Sequence, residues 1–408
     1  MNKNIKLAVA GAIFAAASAA QAGIVIPAGD WTLDVSGNVN AYDIYSRSKG
    51  TATVAGGLSG SGSATRDVTT SGMQNGLLPN FLSIGATTRQ NDLDVAFLIS
   101  LQPGTGANGA LGQVGSGNNA GLNNRQAYLT FGDKSWGSVK VGKDLGVFAS
   151  DAILNDMTLL GVGAGAGSRV PNTTTLGRIG SGFMYADWKN QATYTTPNMN
   201  GFQATVGITQ AWDALNQAGA VSDGNGFASN GKRGGAAPAY EGKASYTFAA
   251  NDVTGKVWVS GFQQRVEGTN DNAYAGDIGA NVNFAGFGLT GYYYGGQGIG
   301  ITAMLNNGYD AAKNARDSNG GYVQATYVLP TKTKIGLAWG QSNLDKNGTG
   351  DTMAAGFIKE QEMWTVGAYH PLTKSLNLVA EYNHAVDRAQ NDAQETSNTA
   401  SLGAILFF

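Results

Sequence analysis

The chain has no cysteine, only two histidines and few charged residues for its length. Without cysteine there is no disulfide, no thiolate metal site and no covalent haem attachment. Charged residues make up 13% of the chain, about half the share of a typical soluble domain. The formal net charge of −2 over 408 residues is close to neutral, which argues against nucleic acid as a partner.

Long apolar runs are also scarce, and the one that stands out lies at the N-terminus. Lys3 and Lys6 precede an apolar stretch at residues 7–17, and Ala20-Gln21-Ala22 follows with the spacing of a signal-peptidase site. The stretch is shorter than the ~20 residues that cross a bilayer as a helix. We therefore predict a cleavable signal peptide at residues 1–22 and an exported domain at residues 23–408. Cleavage removes two lysines and moves the formal net charge from −2 to −4.

Glycine is abundant, with 61 residues, and apolar residues alternate with small polar ones. In residues 333–340, Ile335, Leu337 and Trp339 share one face of a predicted strand, and residues 375–384 follow the same period of two. A membrane β-barrel, with one face to lipid and the other to a wet lumen, explains this composition. A soluble two-sheet sandwich gives the same period.

The connections favour the barrel, because tight turns alternate with long loops rich in Gly, Asn and Asp. The long loops are predicted near residues 47–76, 103–122, 144–180, 211–239, 297–319 and 343–360. The predicted strands begin near Trp31, Leu77, Leu93, Asn123, Gly137, Ala186, Gly201, Tyr240, Gly255, Tyr274, Phe287, Gly321, Thr333, Glu362, Ser375 and Thr396. The prediction is an all-β fold, a 16-stranded antiparallel transmembrane β-barrel.

The third long loop has an unusual composition. It follows a tight hairpin at residues 123–143, carries Asp144, Asp151 and Asp156, and then runs through Leu159-Leu160 into a glycine-rich stretch at residues 161–167. A loop this long inside a compact domain is usually functional. We predict that it folds into the lumen and narrows it. The aspartates could instead simply cap turns within the loop.

The C-terminus alternates up to a terminal aromatic residue. Leu402, Ala404, Leu406 and Phe408 share one face. An exposed edge strand this apolar would invite aggregation. We therefore predict that it closes the barrel against the first strand. The terminal phenylalanine looks like the signal read by the outer-membrane insertion machinery.

Several segments together carry a family resemblance. They are residues 124–128 (NRQAY), residues 137–143 (GSVKVGK) followed by the long loop, residues 190–197 (NQATYTTP) and the ending in Phe408. With these segments, the whole mature chain resembles the general porins of Gram-negative bacteria, particularly the β-proteobacterial type. The resemblance implies a trimer of sixteen-stranded barrels in which the third loop forms an eyelet.

In such porins, acidic loop residues face basic residues on the wall at the narrowest point. The resemblance carries Arg125 onto the wall and Asp144, Asp151 and Asp156 into or near the loop. Independently of the family, alternation aims Lys140 at the lumen, whereas Lys143 sits at the strand top, where alternation does not decide. The remaining candidates are Arg178 in the loop and, with weaker support, Asp187 and Lys189 on the pore wall. The chain lacks the arginine that the family often has at the start of the second strand, so the sign of ion selectivity stays open.

The aromatic residues and histidines point away from a ligand cage or an enzyme. Trp188, Trp258, Trp339, Trp364 and the run Tyr292-Tyr293-Tyr294 are interpreted as membrane-interface girdles or a trimer contact. Neither His370 nor His384 has a nucleophile placed by sequence. No catalytic residue, cofactor or metal is therefore predicted.

The sequence thus predicts an outer-membrane porin: a passive, water-filled channel for ions and small hydrophilic solutes. Its expected partners are outer-membrane lipids, two further copies of the chain in a homotrimer, and the insertion machinery during biogenesis. The alternative is a barrel with a closed pore that is substrate-specific or presents its loops to other molecules. A lumen face of Gly, Ser, Thr, Asn and Ala favours the open channel.

Overall fold

The structure is a computed structural model. It describes residues 23–50, 54–59, 67–105, 122–164, 174–212, 237–348, 350–351 and 353–408. The predicted signal peptide lies outside the described residues. None of the described helices is long and apolar enough to cross a membrane.

Eighteen antiparallel strands form one continuous sheet. They are β1 (Ile24–Ala28), β2 (Trp31–Gly50), β3 (Val68–Gln74), β4 (Phe81–Gln90), β5 (Leu93–Pro103), β6 (Leu122–Asp133), β7 (Gly137–Leu145), β8 (Trp188–Thr195), β9 (Phe202–Thr209), β10 (Ala239–Ala250), β11 (Val253–Gln264), β12 (Ala273–Phe284), β13 (Phe287–Gln297), β14 (Asp317–Val328), β15 (Lys334–Leu344), β16 (Ile358–Pro371), β17 (Leu376–Ala389) and β18 (Gln394–Phe407). Each strand from β4 to β17 pairs with the next one along the chain.

The sheet closes into a barrel of sixteen strands. β18 pairs with β2 along most of its length, from Glu395 opposite Gly50 to Phe407 opposite Asn38. β3 and β4 pair with successive parts of β2, so they count as one barrel strand interrupted at residues 75–80. β1 adds a short strand to the first residues of β2. The predicted fold class and strand number are confirmed.

Burial alternates along the strands, as two-faced strands require. In β12, Tyr274 and Ile278 are exposed while Ala275 and Asp277 are buried. The exposed set is dominated by large apolar side chains, among them Leu402 at 67% exposure. Such a surface suits contact with lipid. We call the exposed set the outer face of the barrel and the buried set its inner face.

The C-terminal residue lies at the seam of the barrel. Phe408 accepts a hydrogen bond from Gly37 N at 2.9 Å and donates one from its own backbone N–H to Gly37 O at 3.1 Å. β1 lies farther along the same side of β2, where Ile24 is opposite Val35. The terminal aromatic residue therefore ends a paired strand and leaves no free apolar edge at this point.

The first long loop is shorter than the prediction for residues 47–76, because β2 extends to Gly50 and β3 begins at Val68. Both strand extensions carry few apolar residues, so alternation gave no signal there. The loops at residues 298–316 and 345–357 are joined by an ion pair in which Arg316 Nε and Nη2 contact the two oxygens of Asp351 at 2.6 and 2.7 Å. These hydrogen bonds lower the pKa of Asp351 to about 2, so the pair is fully ionised at neutral pH.

Candidate functional site

The connection between β7 and β8 is residues 146–187, and its described parts, 146–164 and 174–187, pack against inner-face side chains from several strands. The hydroxyl of Tyr322 on β14 donates to Ala152 O at 2.8 Å, and Met157 N donates to Gln324 Oε1 at 2.7 Å. Farther along, Gly182 N donates to Ser342 Oγ on β15 at 3.0 Å. We call this connection the third loop, because it joins the fifth and sixth barrel strands.

Residues 146–164 are the first arm of the third loop. Two short helical pieces shape this arm. The helix α1 (Ser150–Asn155) begins after Ala149, which has a φ of 61° in the left-handed region. A 3-10 turn follows at Met157–Leu160, and the side chain of Asp156 caps it by accepting from Thr158 N at 3.1 Å. Asp156 thus has the turn-capping role that the sequence left open for it.

Asp151 links the loop to the barrel wall. Lys243 on β10 lies 3.0 Å from its carboxylate, and Lys256 on β11 forms a second ion pair with it. The carboxylate side chain is 4% exposed. Burial alone would raise the pKa of Asp151, but the charges of Lys243 and Lys256 outweigh it and lower this pKa. A loop acid therefore faces wall bases here, as the resemblance implies, but the bases are two lysines that the sequence analysis did not select.

Asp156 and Arg178 lie together in the interior, both side chains fully buried, with Arg178 Nε 3.7 Å from Asp156 Oδ1. The guanidinium also donates to Met363 O at 2.9 Å and Thr365 Oγ1 at 2.7 Å on β16. The pair fastens the second arm of the third loop, residues 174–187, to the barrel wall.

Asp144 and Lys140 are both on β7, four residues apart on the same face, and form an ion pair. Gln126 Nε2 donates to the other carboxylate oxygen of Asp144 at 3.0 Å. Lys140 is opposite Thr130 and Thr193, both buried, so it lies on the inner face as alternation predicts. Asp144 belongs to the end of a strand, although the sequence analysis placed the start of the loop there.

Lys189 is fully buried and pairs with Glu241 on β10, with Nζ 2.5 Å from Oε1. The other oxygen of Glu241 accepts from Val147 N at 2.7 Å and Phe148 N at 2.9 Å, at the start of the third loop. Lys189 is therefore an inner-face residue that neutralises a loop-binding carboxylate. Asp187 lies just before β8, where its side chain accepts from Trp188 N at 2.7 Å.

Lys143 is not brought to this cluster, and Arg125 lies close to Tyr185 near the end of the third loop. Lys143 is opposite Ala127 and Asn190, both exposed, so its register is that of the outer face, and its ammonium donates to Asn124 O at 3.0 Å. Arg125 lies at a β-bulge in β6, with its guanidinium 5.9 Å from the centre of the Trp188 ring. The bulge shifts the phase of the strand by one residue, which sequence alternation alone does not reveal.

The aromatic residues contradict part of the girdle interpretation. Trp258, Tyr292 and Tyr294 are buried on the inner face, whereas Tyr293 between the two tyrosines is 57% exposed. Phe148 of the third loop packs on this side of the barrel, 6.1 Å from the Phe262 ring. The inner face therefore has an apolar, aromatic arc as well as small polar residues, and the loop packs on that arc.

Four residues of this site were missed: Lys243, Lys256, Glu241 and Glu381, whose Oε2 accepts from Val162 N of the third loop at 2.9 Å. All are charged residues within predicted strands, and Glu241, Lys243 and Ser245 alternate on one face of β10. A charge in the middle of a strand that faces lipid is costly, so these positions should face inward. That argument, applied to every strand, would have found them.

The described residues contain no group of three or more His, Cys, Asp or Glu side chains that could hold a metal ion. Among the histidines, His370 Nδ1 lies 2.9 Å from Thr333 Oγ1 and His384 Nδ1 lies 2.9 Å from Asn398 Oδ1. Neither pairing forms part of the third-loop cluster.

A strand-built barrel with a charged loop on its inner face is the architecture of diffusion channels, and the family comparison agrees. A family model described as Gram-negative porin matches residues 7–390. The chain belongs to this family. A comparison with curated proteins gave no match. As a member of the family, the porin is an outer-membrane channel for passive diffusion of solutes, which places it among channels rather than enzymes.

Solved structures share the fold of this porin at low sequence identity. The outer-membrane channel DcaP of Acinetobacter baumannii has a TM-score of 0.64 and 18% identity, covering 95% of this chain and 100% of that one. OmpF of Salmonella typhi, in complex with daunomycin, has a TM-score of 0.57 and 14% identity over 94% and 100%. OmpT of Vibrio cholerae in a trimer form has a TM-score of 0.50 and 13% identity over 93% and 99%.

Proposed function

We propose that the third loop narrows the channel and that ions and small hydrophilic solutes pass beside it. The observation that carries this proposal is the position of Asp151, an acid on the loop that bridges to Lys243 and Lys256 on the wall. The two lysines are 20% and 31% exposed, more than the acid that they hold. Fixed charges act strongly in a narrow, partly desolvated passage. Solutes would therefore be selected by size and charge at this point.

The set of constriction residues is revised by the contacts. Lys140, Asp144 and Asp151 stay in it, and Lys243 and Lys256 join them. Asp156, Arg178 and Lys189 have their charges enclosed by protein, so we assign them to holding the loop. Lys143 is outside the charged cluster. Arg125 and Asp187 both lie close to Tyr185 near the end of the third loop, so they stay candidates for the constriction.

We also propose how the porin assembles and how it is exported. We infer a homotrimer of the β-proteobacterial type, supported by the segment resemblance and by a structural neighbour that was solved as a trimer. The outer face, rich in exposed apolar residues, suits outer-membrane lipids. We further propose export through a signal peptide at residues 1–22 and recognition of Phe408 by the insertion machinery.

Single-channel recording of the purified protein in a planar lipid bilayer tests the channel. We expect conductance steps that arrive in threes, one for each pore of a trimer. The size of the steps should grow roughly in proportion to salt concentration, because the current through a water-filled pore follows the ion concentration. Single steps of equal size would argue against the trimer. Silence from correctly folded protein would contradict the open channel.

The alternative, a barrel with a closed pore, has one supporting observation. Val54, Ile301, Met353 and Phe357 from three loops form a small buried cluster, and two of these loops also carry the ion pair between Arg316 and Asp351. Loops joined in this way could cover the mouth or present a binding surface. Silence in the bilayer would favour this alternative.

A further inference from the structure

Two glutamates hold the first arm of the third loop at its two ends. Glu241 on β10 accepts from Val147 N and Phe148 N through one oxygen, as described above. Glu381 on β17 does the same for Val162 N at 2.9 Å and Gly163 N at 2.8 Å. β10 and β17 are seven places apart in the ring of sixteen strands. The arm therefore crosses between nearly opposite walls.

Each glutamate is placed to hold backbone rather than to meet solvent. Both are 4% exposed. A buried backbone N–H that loses its acceptor costs the full desolvation penalty of that group. The residues between the two attachment points include α1 and Asp151, so the position of the constriction depends on both ends.

The sequence of the loop fits this attachment. A Cβ at Gly161 would lie 1.9 Å from Glu381 Oε1, and a Cβ at Gly163 would lie 2.3 Å from backbone atoms of Gly177. Gly163 also has a φ of +68°, which side chains other than glycine rarely adopt. The start of the glycine-rich stretch, which resembles no phosphate loop, is therefore explained by close approach to Glu381 and to the second arm.

The two ends differ in their counter-charge. Glu241 has a buried lysine, Lys189, on its second oxygen. The second oxygen of Glu381 accepts from the neutral hydroxyl of Tyr369 at 2.7 Å. The direct hydrogen-bond donors to Glu381 are thus neutral groups, whereas Glu241 also takes part in an ion pair.

We infer that Glu241 and Glu381 are positioning residues that suspend the constriction across the lumen, and that the Glu381 end is the one that releases. Release frees Val162 N and Gly163 N at the end of the first arm from the wall, while the Glu241 end stays fixed. The open channel should then show conductance levels that correspond to the held and the released loop. This inference rests on the proposed function, since it concerns the loop that narrows the channel.

The test compares Glu381→Ala with Glu381→Gln in single-channel recordings. The alanine variant loses both backbone hydrogen bonds, and we expect transitions between conductance levels to become about tenfold more frequent at a given voltage. The amide oxygen of glutamine still accepts the two N–H groups, so this variant should behave like the wild type. If the alanine variant does not fold, Glu381→Asp, whose carboxylate is too short to reach both amides, takes its place.

A matched control is Glu362→Ala on the neighbouring strand β16. Glu362 contacts Trp339, Trp364 and Arg388 and lies away from the loop, so its loss should leave the transitions unchanged. Transitions at the wild-type rate in the alanine or aspartate variant would overturn the inference, as would an equal increase in the glutamine variant. No conductance from the wild type would instead refute the proposed channel, and the inference with it.

Discussion

Glu241→Ala is expected to lower the free energy of unfolding by about 3–5 kcal/mol, the cost of removing one partner from a buried ion pair. The change leaves Lys189, fully buried, without its counter-charge. It also leaves Val147 N and Phe148 N at the start of the third loop without their acceptor. Urea titration of the porin folded into lipid vesicles measures the loss.

The double variant Glu241→Met with Lys189→Met separates the cost of an unpaired buried charge from the cost of the lost hydrogen bonds to the third loop. Replacing both members of a buried ion pair with apolar residues is often close to neutral. We therefore expect most of the lost stability to return, while the loop amides remain without an acceptor. If the double variant is as unstable as Glu241→Ala, the loop hydrogen bonds and not the buried charge dominate the cost. A loss below about 1 kcal/mol in the single variant would contradict the buried geometry.

Replacing Lys243 and Lys256 together with glutamine is expected to shift selectivity toward cations at least about fivefold. The two ammonium groups neutralise Asp151, so their loss leaves a single negative charge on the loop at the proposed constriction. A change of 1 kcal/mol in the relative free energies of two ions corresponds to about a fivefold change in their ratio. The reversal potential in a salt gradient gives the permeability ratio directly.

The converse change, Asp151→Asn, should shift the same ratio toward anions, because two lysines then lack a counter-charge. Lys359→Gln is a control, since Lys359 is 47% exposed and pairs with Asp392 in the last loop region. Unchanged reversal potentials in both the lysine and the aspartate variants would remove this cluster from the ion path.

The strands could be predicted because each obeys a local rule. Leu93, Gly137 and Phe287 begin observed strands at the predicted residue, since each follows a tight turn and opens an alternating run. The second strand was placed near Leu77, which instead lies in the interruption between β3 and β4. Apolar residues there pack under the third loop, so they resemble a strand start without being one.

Alternation indicates the inner face only where one face is apolar and the other polar, as around Lys140, because a period of two by itself separates two faces without saying which one faces inward. Tyr292 and Tyr294 illustrate the difficulty, since they face the loop while Tyr293 between them faces outward. Aromatic side chains suit a lipid interface and a loop-packed interior equally well. Charged residues such as Lys243 and Glu241 indicate the inner face more clearly, because a charge in the middle of a strand is costly on the lipid face.

The partners within the site depend on contacts between distant parts of the chain. Asp151 meets Lys256 across 105 residues, and Val162 meets Glu381 across 219. No local pattern contains that information. The sequence was enough to predict an acidic third loop. The wall residues that hold this loop could be identified only from the structure of the closed barrel.

Thiol accessibility along β10 tests the central claim most directly, because the chain has no cysteine of its own. Ser245 shares the inner face with Lys243, whereas Tyr246 beside it is 46% exposed on the outer face. In single channels of Ser245→Cys, a charged water-soluble thiol reagent should lower the conductance, and Tyr246→Cys channels should be unaffected. An unchanged conductance in Ser245→Cys channels with the thiol fully modified would contradict a water-filled path beside the third loop.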